Sequence, residues 1–271
     1  MTATTVTVRT STAHPGGTPA LVVVAHGSRD PRALSTVRAL LDRVRALRPA
    51  LPVHLGHIEL NAPLLPDTLA ALGDGEAVLV PLLLSHGHHV ERDIPGMAAA
   101  SPARTRVAAP LGPHPLLVDA LHDNLLEAGW PLHAPRDAAV VLASAGSRAP
   151  ASRADTERTA ALLAARLGVP VLPAYASAAA PTVPDAIRTL TARGHRRIAV
   201  AAHFTAPGRF ATESTTHAPW IASAPLGTHP AMARLLLHRY DEALAGGGEN
   251  DVPRGAYGPA RPAAATPALA R

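Results

Sequence analysis

The stretch LVVVAHGSRDPRALSTVRALL, residues 21–41, indicates a buried β-strand followed by an amphipathic helix. The run LVVV at 21–24 is short and uninterrupted, as in strands of a parallel sheet that are covered on both faces. Over residues 33–47 the apolar side chains return at the spacing of one helix face. Pro49 and Pro52 then predict the end of that helix.

The alternation of strand and helix continues through the first half of the chain. Further strands are predicted at 53–60, 77–84 and 107–109, and further helices at 67–72 and 116–128. This order predicts a parallel sheet with helices on both faces. In such a sheet the loops that follow the strands line the ligand crevice, so polar residues at those positions are the first candidates for function.

The second half of the chain repeats the first. Three segments match segments about 115 to 120 residues further along: AHGSRDPRA (25–33) with SAGSRAPAS (144–152), VLVPLLLSHGHHVERD (78–93) with IAVAAHFTAPGRFATE (198–213), and AAPLGPHP (108–115) with SAPLGTHP (223–230). We therefore expect an α/β protein with two similar lobes, 20–133 and 136–245. A flexible leader is predicted at 1–19, and a disordered tail rich in Gly, Pro and Ala at 246–271.

The composition excludes several classes of site and partner. There is no cysteine, so a bound metal must use histidine, carboxylate or backbone oxygen. No apolar run approaches the ~18 residues of a membrane span, so no membrane partner is expected. The net charge is +5, but the arginines are dispersed and only 3% of residues are aromatic, which argues against nucleic acid. The N-terminal residues lack the apolar core of a signal peptide, which predicts a cytoplasmic location.

Histidines follow two of the predicted strands in the first half. His26 precedes Gly27, and a glycine there permits unusual backbone angles and close approach of a ligand. Alternatively, His26 caps the next helix or packs locally. His86, His88 and His89 follow the third strand, where imidazoles can bind a divalent metal of borderline softness. The fold could equally leave two of these three in solvent.

Other polar residues are predicted at the same edge of the sheet. Glu59 ends the second predicted strand, and it either approaches the crevice or is a solvated carboxylate. Ser28 and Arg29 either bind substrate carboxylates, for which arginine offers a bidentate contact, or serve as a helix cap and a surface charge. His114 and His229 occupy matching LGxHP turns, which favours a structural role for both.

Two segments resemble the signatures of a known family, the sirohydrochlorin chelatases or class II chelatases. They are AHGSR at 25–29 and GHHVERDIP at 87–95. The family pattern is an apolar strand followed by HGS and later by G-x-H-V-x-x-D-I-P, and the PLGxHP turns are similar too. The resemblance covers about residues 20–245. Taken by itself, Asp93-Ile94-Pro95 also predicts an N-cap and a helix start.

The resemblance implies two flavodoxin-like lobes that face each other across a cleft. It also implies an enzyme that inserts a divalent metal, Fe²⁺ or Co²⁺ foremost and Ni²⁺ as a further candidate, into a tetrapyrrole. His26 and His89 match the family's metal ligands or proton acceptors, and we expect Glu59 to assist them. The residues expected at the substrate are Gly27, Ser28, Arg29 and His88. His86 and His88 do not match the motif histidine, so both rank below His89.

The second half departs from the family pattern at both histidines. Ala145 stands where the first half has His26, and Arg209 stands where it has His89. His203 occurs nearby but at a different offset. The second half thus resembles a degenerate copy that supplies the opposite wall of the cleft, and we expect the chain to act as a monomer.

The sequence contains no P-loop and no GxGxxG motif, so no organic cofactor and no ATP is expected, and the metal enters as a substrate. Three other functions stay open. One is a non-catalytic tetrapyrrole or metal carrier with the same fold. Another is a two-lobed periplasmic solute binder, against which the lack of a signal peptide argues. The third is a different enzyme on a duplicated flavodoxin-like frame, since fold alone does not fix function.

Overall fold

The computed structural model describes residues 17–246 and contains two four-stranded parallel sheets. The first half comprises β1 (Ala20–Ala25), α1 (Pro31–Leu47), β2 (Val53–His57), α2 (Leu65–Ala71), β3 (Glu76–Pro81), a π-helical turn (His89–Asp93), α3 (Ile94–Ala99), β4 (Arg104–Val107) and α4 (Pro115–Glu127). The second half comprises β5 (Ala138–Ser144), α5 (Pro150–Leu167), β6 (Val171–Tyr175), α6 (Val183–Ala192), β7 (Arg197–His203), α7 (Arg209–Thr216), β8 (Ile221–Ala222) and α8 (Pro230–Ala245).

The two sheets have the same topology. The strand order is β2-β1-β3-β4 in the first sheet and β6-β5-β7-β8 in the second, and every pairing is parallel. The central strand β1 pairs with both β2 and β3, which buries the LVVV run at 21–24 completely. The predicted fold class, two lobes that each contain a parallel sheet flanked by helices, is therefore confirmed.

Each sheet is covered by helices on both faces. On one face of the first sheet, Val22 and Val24 form a core with α2 and α3. On the matching face of the second sheet, Val141 and Val200 form a core with residues of α6 and α7. The remaining two faces share a single core, to which α1, α4, α5 and α8 all contribute.

The last helix of each half packs against the other half of the chain. Helix α8 contacts α1 and β3 of the first half, and α4 contacts α5 and β7 of the second. The two helices also pack against each other. The hydroxyl of Tyr240 on α8 donates to the carbonyl of Pro19 at 2.6 Å, which joins the helix to the chain just before β1. The lobes are consequently held together by their hydrophobic core.

Several elements differ from the sequence prediction. Strand β2 ends at His57, so Glu59 lies in the following loop and does not end the strand. Strand β4 begins at Arg104, three residues before the predicted start, because its alternating RTRV pattern shows no apolar run. Helix α7 and strand β8 were not predicted, since α7 buries only Ala211 and Ser214 and β8 has two residues.

The predicted lobes 20–133 and 136–245 contain all eight strands and eight helices of the described residues. Most of the predicted leader and tail, residues 1–16 and 247–271, lies outside the described part of the chain. Within residues 17–246 no helix is both long and apolar enough to span a membrane.

We expect Asn124→Ala to destabilise the protein by about 1–3 kcal/mol, because Asn124 connects the two halves through two hydrogen bonds. Its buried Nδ2 donates to the carbonyls of Ala224 at 3.1 Å and Pro225 at 3.0 Å. Asp241→Asn is the control. It weakens an exposed ion pair between Asp241 and Arg48, which also joins the two halves, and it should lower the free energy of unfolding by at most about 1 kcal/mol. Unfolding in urea measures both changes, and a smaller loss for Asn124→Ala than for the control would contradict the prediction.

Candidate active site

A cleft of about 400 Å³ lies at the carboxyl ends of the strands and is lined by both halves of the chain. The first half contributes His26 and residues 82–90. The second half contributes residues 144–147, Ser152, Thr156, Ser177, residues 203–205 and Phe210. The cleft thus occupies the position expected for the ligand site of an open parallel sheet.

Gly27 is required by the close contact between two loops of the first lobe. Its φ is +102°, and a Cβ atom at this position would lie 1.9 Å from the carbonyl oxygen of Glu59. Gly146 repeats the arrangement in the second lobe, where φ is +91° and a Cβ would lie 1.9 Å from the carbonyl oxygen of Ser177. The glycine after His26 therefore allows the loop that carries Glu59 to approach β1.

His26, Glu59 and His89 lie together at the edge of the first sheet. His26 Nε2 is 3.6 Å from Glu59 Oε1, and both side chains are about half exposed. The rings of His26 and His89 meet edge to face, with 4.8 Å between their centroids. Glu59 is not among the residues that line the cleft, so it meets the site through its contact with His26.

His89 is oriented by Asp93 in the π-helical turn. Its Nδ1 donates to Asp93 Oδ2 at 2.6 Å, which leaves the Nε2 lone pair of the neutral ring free. Asp93 occupies the N-cap position of α3, which begins at Ile94 as predicted, but its side chain accepts no hydrogen bond from the start of that helix. Residues four apart are neighbours on one face of a helical turn, and π-helical turns are frequent at functional sites.

Three of the predicted substrate residues lie in the loop between β1 and α1. The backbone N–H of Ser28 donates to Asn61 Oδ1, and the Ser28 hydroxyl accepts from the backbone N–H of Asp30. Ser28 thus stabilises the turn before α1. Arg29 is exposed and forms no ion pair with any other residue between 17 and 246. Gly27, Ser28 and Arg29 do not line the cleft itself.

His88 and His86 both line the cleft but have different surroundings. The side chain of His88 is 71% exposed, and its Nε2 is 3.4 Å from Asp93 Oδ1. His86 contacts the second lobe through Asp155 on α5. Across residues 17–246 no three His, Asp or Glu side chains are grouped closely enough to hold a metal ion.

The second half of the chain gives the opposite wall a different chemistry. Ala145 lines the cleft at the position that matches His26. Arg209 lies at the position that matches His89, where its guanidinium stacks on Phe210 and is 3.9 Å from Glu213. The rest of this wall consists mainly of hydroxyl and aromatic side chains: Ser144, Ser147, Ser152, Thr156, Ser177, Phe204, Thr205 and Phe210.

His203 is the buried imidazole of this wall. It ends β7, its Nδ1 is 2.8 Å from the hydroxyl oxygen of Ser144, and its buried Nε2 has no hydrogen-bond partner in the described chain. Burial lowers the pKa of His203 to about 4, because the charged ring would lose its hydration. This side chain is therefore neutral at physiological pH.

The structure adds residues that the sequence prediction missed. The sequence does contain a signal for the contact of Asp93 with His89, because the two residues are four apart, but Asp93 is predicted there only as a helix start. No sequence pattern pointed to Asp155, because its partner His86 lies in the other lobe. His114 and His229 are structural, as predicted: each Nδ1 accepts from a backbone N–H of the following helix, Leu116 at 3.1 Å and Ala231 at 3.2 Å.

We expect the stability of the protein to fall as the pH decreases from about 6.5 towards about 4, partly because of His203. In this range the unfolded chain binds a proton at His203 that the folded chain does not. The contribution of neutral His203 to the free energy of unfolding is therefore complete only above the pKa that His203 has in the unfolded chain. His203→Gln should reduce the slope of unfolding free energy against pH, measured in urea. His238→Gln, at an exposed position outside the cleft, is the control. An unchanged slope in His203→Gln would contradict the prediction.

Comparisons with known proteins agree with this architecture. The CbiX family model matches the chain twice, at residues 20–128 and 139–243. A sirohydrochlorin cobaltochelatase from Methanococcus maripaludis is 37% identical over 79 residues, which are 28% of this chain and 55% of that protein. The chloroplastic sirohydrochlorin ferrochelatase of Arabidopsis thaliana is 27% identical over 118 residues, 41% of this chain and 52% of that protein. The chain therefore spans about half the length of these curated relatives.

A solved structure described as SirB from Bacillus subtilis with Fe³⁺ superposes with a TM-score of 0.71. It is 25% identical, and the alignment covers 86% of this chain and 98% of that one. The structural match thus includes both lobes, and the two matches to one family model cover most of the described residues. The chain belongs to the CbiX family.

Proposed function

We propose that this protein is a sirohydrochlorin chelatase that inserts a divalent metal ion, iron or cobalt, into the tetrapyrrole. The observation that carries the proposal is the pair of imidazoles, His26 and His89, whose rings meet at 4.8 Å in a cleft between the lobes. Relatives named for the same reaction with cobalt and with iron support it. Imidazole and carboxylate ligands bind Fe²⁺, Co²⁺ and Ni²⁺ alike, so the ligand types of this site do not discriminate among the three metals.

His26 and His89 have complementary surroundings for holding the metal before it enters the ring. Asp93 fixes the proton of His89 on Nδ1, so the Nε2 lone pair is available as a ligand. His26 Nε2 and Glu59 Oε1 are 3.6 Å apart, close enough for one ion to bind both at the ~2.0–2.2 Å distances typical of such ligands. We therefore assign metal delivery to these two histidines, with Glu59 as an assisting carboxylate.

Metallation also requires the removal of two pyrrole protons and a dry enclosure for the macrocycle. The imidazoles and the half-exposed Glu59 carboxylate can accept protons and release them to water. The opposite wall, with Phe204, Phe210 and several hydroxyls, offers neutral contacts to a flat ring. We assign recognition of the peripheral carboxylates of the substrate to Ser28, Arg29, His88 and the backbone near Gly27, which lie in the loops after β1 and β3. No organic cofactor is required by this scheme, and the cytoplasmic location stays a prediction.

We expect His26→Ala and His89→Ala each to lower the metallation rate by at least about a hundredfold, because each removes a metal ligand and proton acceptor. His26 lies in a loop and His89 begins the short π-helical turn, and both side chains are partly exposed, so the variants should remain folded. The measurement is anaerobic incubation of metal-free sirohydrochlorin with Fe²⁺, Co²⁺ or Ni²⁺, followed by absorbance. His238→Ala is the control outside the cleft.

Two results of this experiment would count against the proposal. Wild-type rates in both histidine variants would refute the site assignment. Tight binding of the tetrapyrrole or the metal without turnover by the wild-type protein would instead favour the alternative function, a non-catalytic tetrapyrrole or metal carrier.

We further expect the full chain to be active as a monomer, because one chain supplies both walls of the cleft. Turnover per chain should then be independent of protein concentration over a dilution series. Sedimentation of the same samples gives the oligomeric state. Activity confined to a dimer would contradict the assignment of the second half as the opposite wall.

A further inference from the structure

His86 is held by a carboxylate from the opposite lobe. Asp155 Oδ2 accepts two hydrogen bonds from this residue, from the backbone N–H at 2.8 Å and from ring Nδ1 at 2.7 Å. Asp155 lies on α5, and its side chain is only 15% exposed. Beside this contact the hydroxyl oxygens of Ser85 and Ser152 are 2.9 Å apart, so two polar contacts join the loop after β3 to the second lobe.

The carboxylate determines which ring nitrogen of His86 carries the proton. A carboxylate only accepts, so Nδ1 must donate, and the neutral ring then keeps its lone pair on Nε2. The side chain of His86 lines the cleft and is 43% exposed. His86 therefore combines a free basic nitrogen, a negative charge behind the ring and a path to water.

This arrangement meets a need of the proposed reaction. While His26 and His89 hold the metal through Nε2, those lone pairs are occupied, and they can take up protons only after the metal has entered the ring. Glu59 can accept one of the two. His88 is less suited to accept the other, because its Nε2 is already close to Asp93 Oδ1 and its side chain is largely in solvent. His86 is the remaining imidazole on this wall of the cleft.

On the basis of the proposed function, we propose that His86 accepts a pyrrole proton during metallation and that Asp155 is its positioning residue. In this step the pyrrole N–H bond breaks, its electron pair becomes available to the metal, and a new N–H bond forms at His86 Nε2. The Asp155 carboxylate stabilises the imidazolium that results. The proton then leaves to water on the exposed side of the ring. The second lobe thus contributes a charged group to the chemistry although it lacks both motif histidines.

The test compares His86→Ala, Asp155→Asn and the double variant in the metallation assay. We expect His86→Ala to lower kcat at least about tenfold and to leave KM for the tetrapyrrole nearly unchanged. Asp155→Asn keeps an oxygen that can accept from His86 but removes the charge, and it should lower kcat several-fold. Because Asp155 acts through His86, Asp155→Asn should have no further effect in the His86→Ala background. His238→Ala is the matched control, since His238 is also 43% exposed and paired with a carboxylate, Glu242.

A second measurement does not depend on turnover. Nitrogen-15 NMR of the histidine rings should show His86 protonated at Nδ1 and unprotonated at Nε2 in the neutral protein. The opposite tautomer would overturn the proposal.

A purely structural role for the contact would give a different result in the assay. Asp155→Asn would then lower the rate by the same factor with and without His86, or His86→Ala would keep the wild-type kcat. Either outcome, with a normal wild-type rate, overturns this inference alone. Absence of metallation by the wild-type protein would overturn the proposed function itself.

Discussion

The structure depends on the core that the two halves share. Each parallel sheet must be covered on both faces, because its strands expose apolar side chains on both. The last helix of each half helps to cover the sheet of the other half. Helix α8 packs on α1 and β3, and α4 packs on α5 and β7. This reciprocal packing of α4 and α8 holds the two lobes together, and the carboxyl ends of both sheets open into one cleft.

The symmetry of this frame contrasts with the asymmetry of its chemistry. Gly27 and Gly146 are held by the same close backbone contact, so the strand-end loops have the same shape in both lobes. Yet one loop carries His26 and the other Ala145. The strand-end backbone is thus the same in the two lobes, although the side chain at the matching position differs.

Carboxylates orient the imidazoles of the site from different distances along the chain. Asp93 acts on His89 within one helical turn, whereas Asp155 acts on His86 from the other lobe. Both leave Nε2 as the free nitrogen. The roles proposed for these rings, metal ligand and proton acceptor through Nε2, both require this tautomer, which a neutral imidazole in water does not hold exclusively. The protein environment therefore supplies the preorganisation that histidine itself lacks.

The amino-acid sequence by itself determined the strand and helix pattern, the duplication, and the positions of His26 and His89 in the segments that follow β1 and β3, because these depend on local periodicity and on motifs. It also identified Glu59, although it placed the end of β2 three residues too late. It did not reveal α7 or β8, which bury too few apolar side chains to leave a pattern. Three features were decided only by the tertiary structure. Helices α4 and α8 each pack against the opposite lobe, His203 is buried on the wall opposite His26 and His89, and Asp155 contacts His86. Those contacts join residues far apart in the chain, and their energy arises from packing and burial that local sequence does not encode.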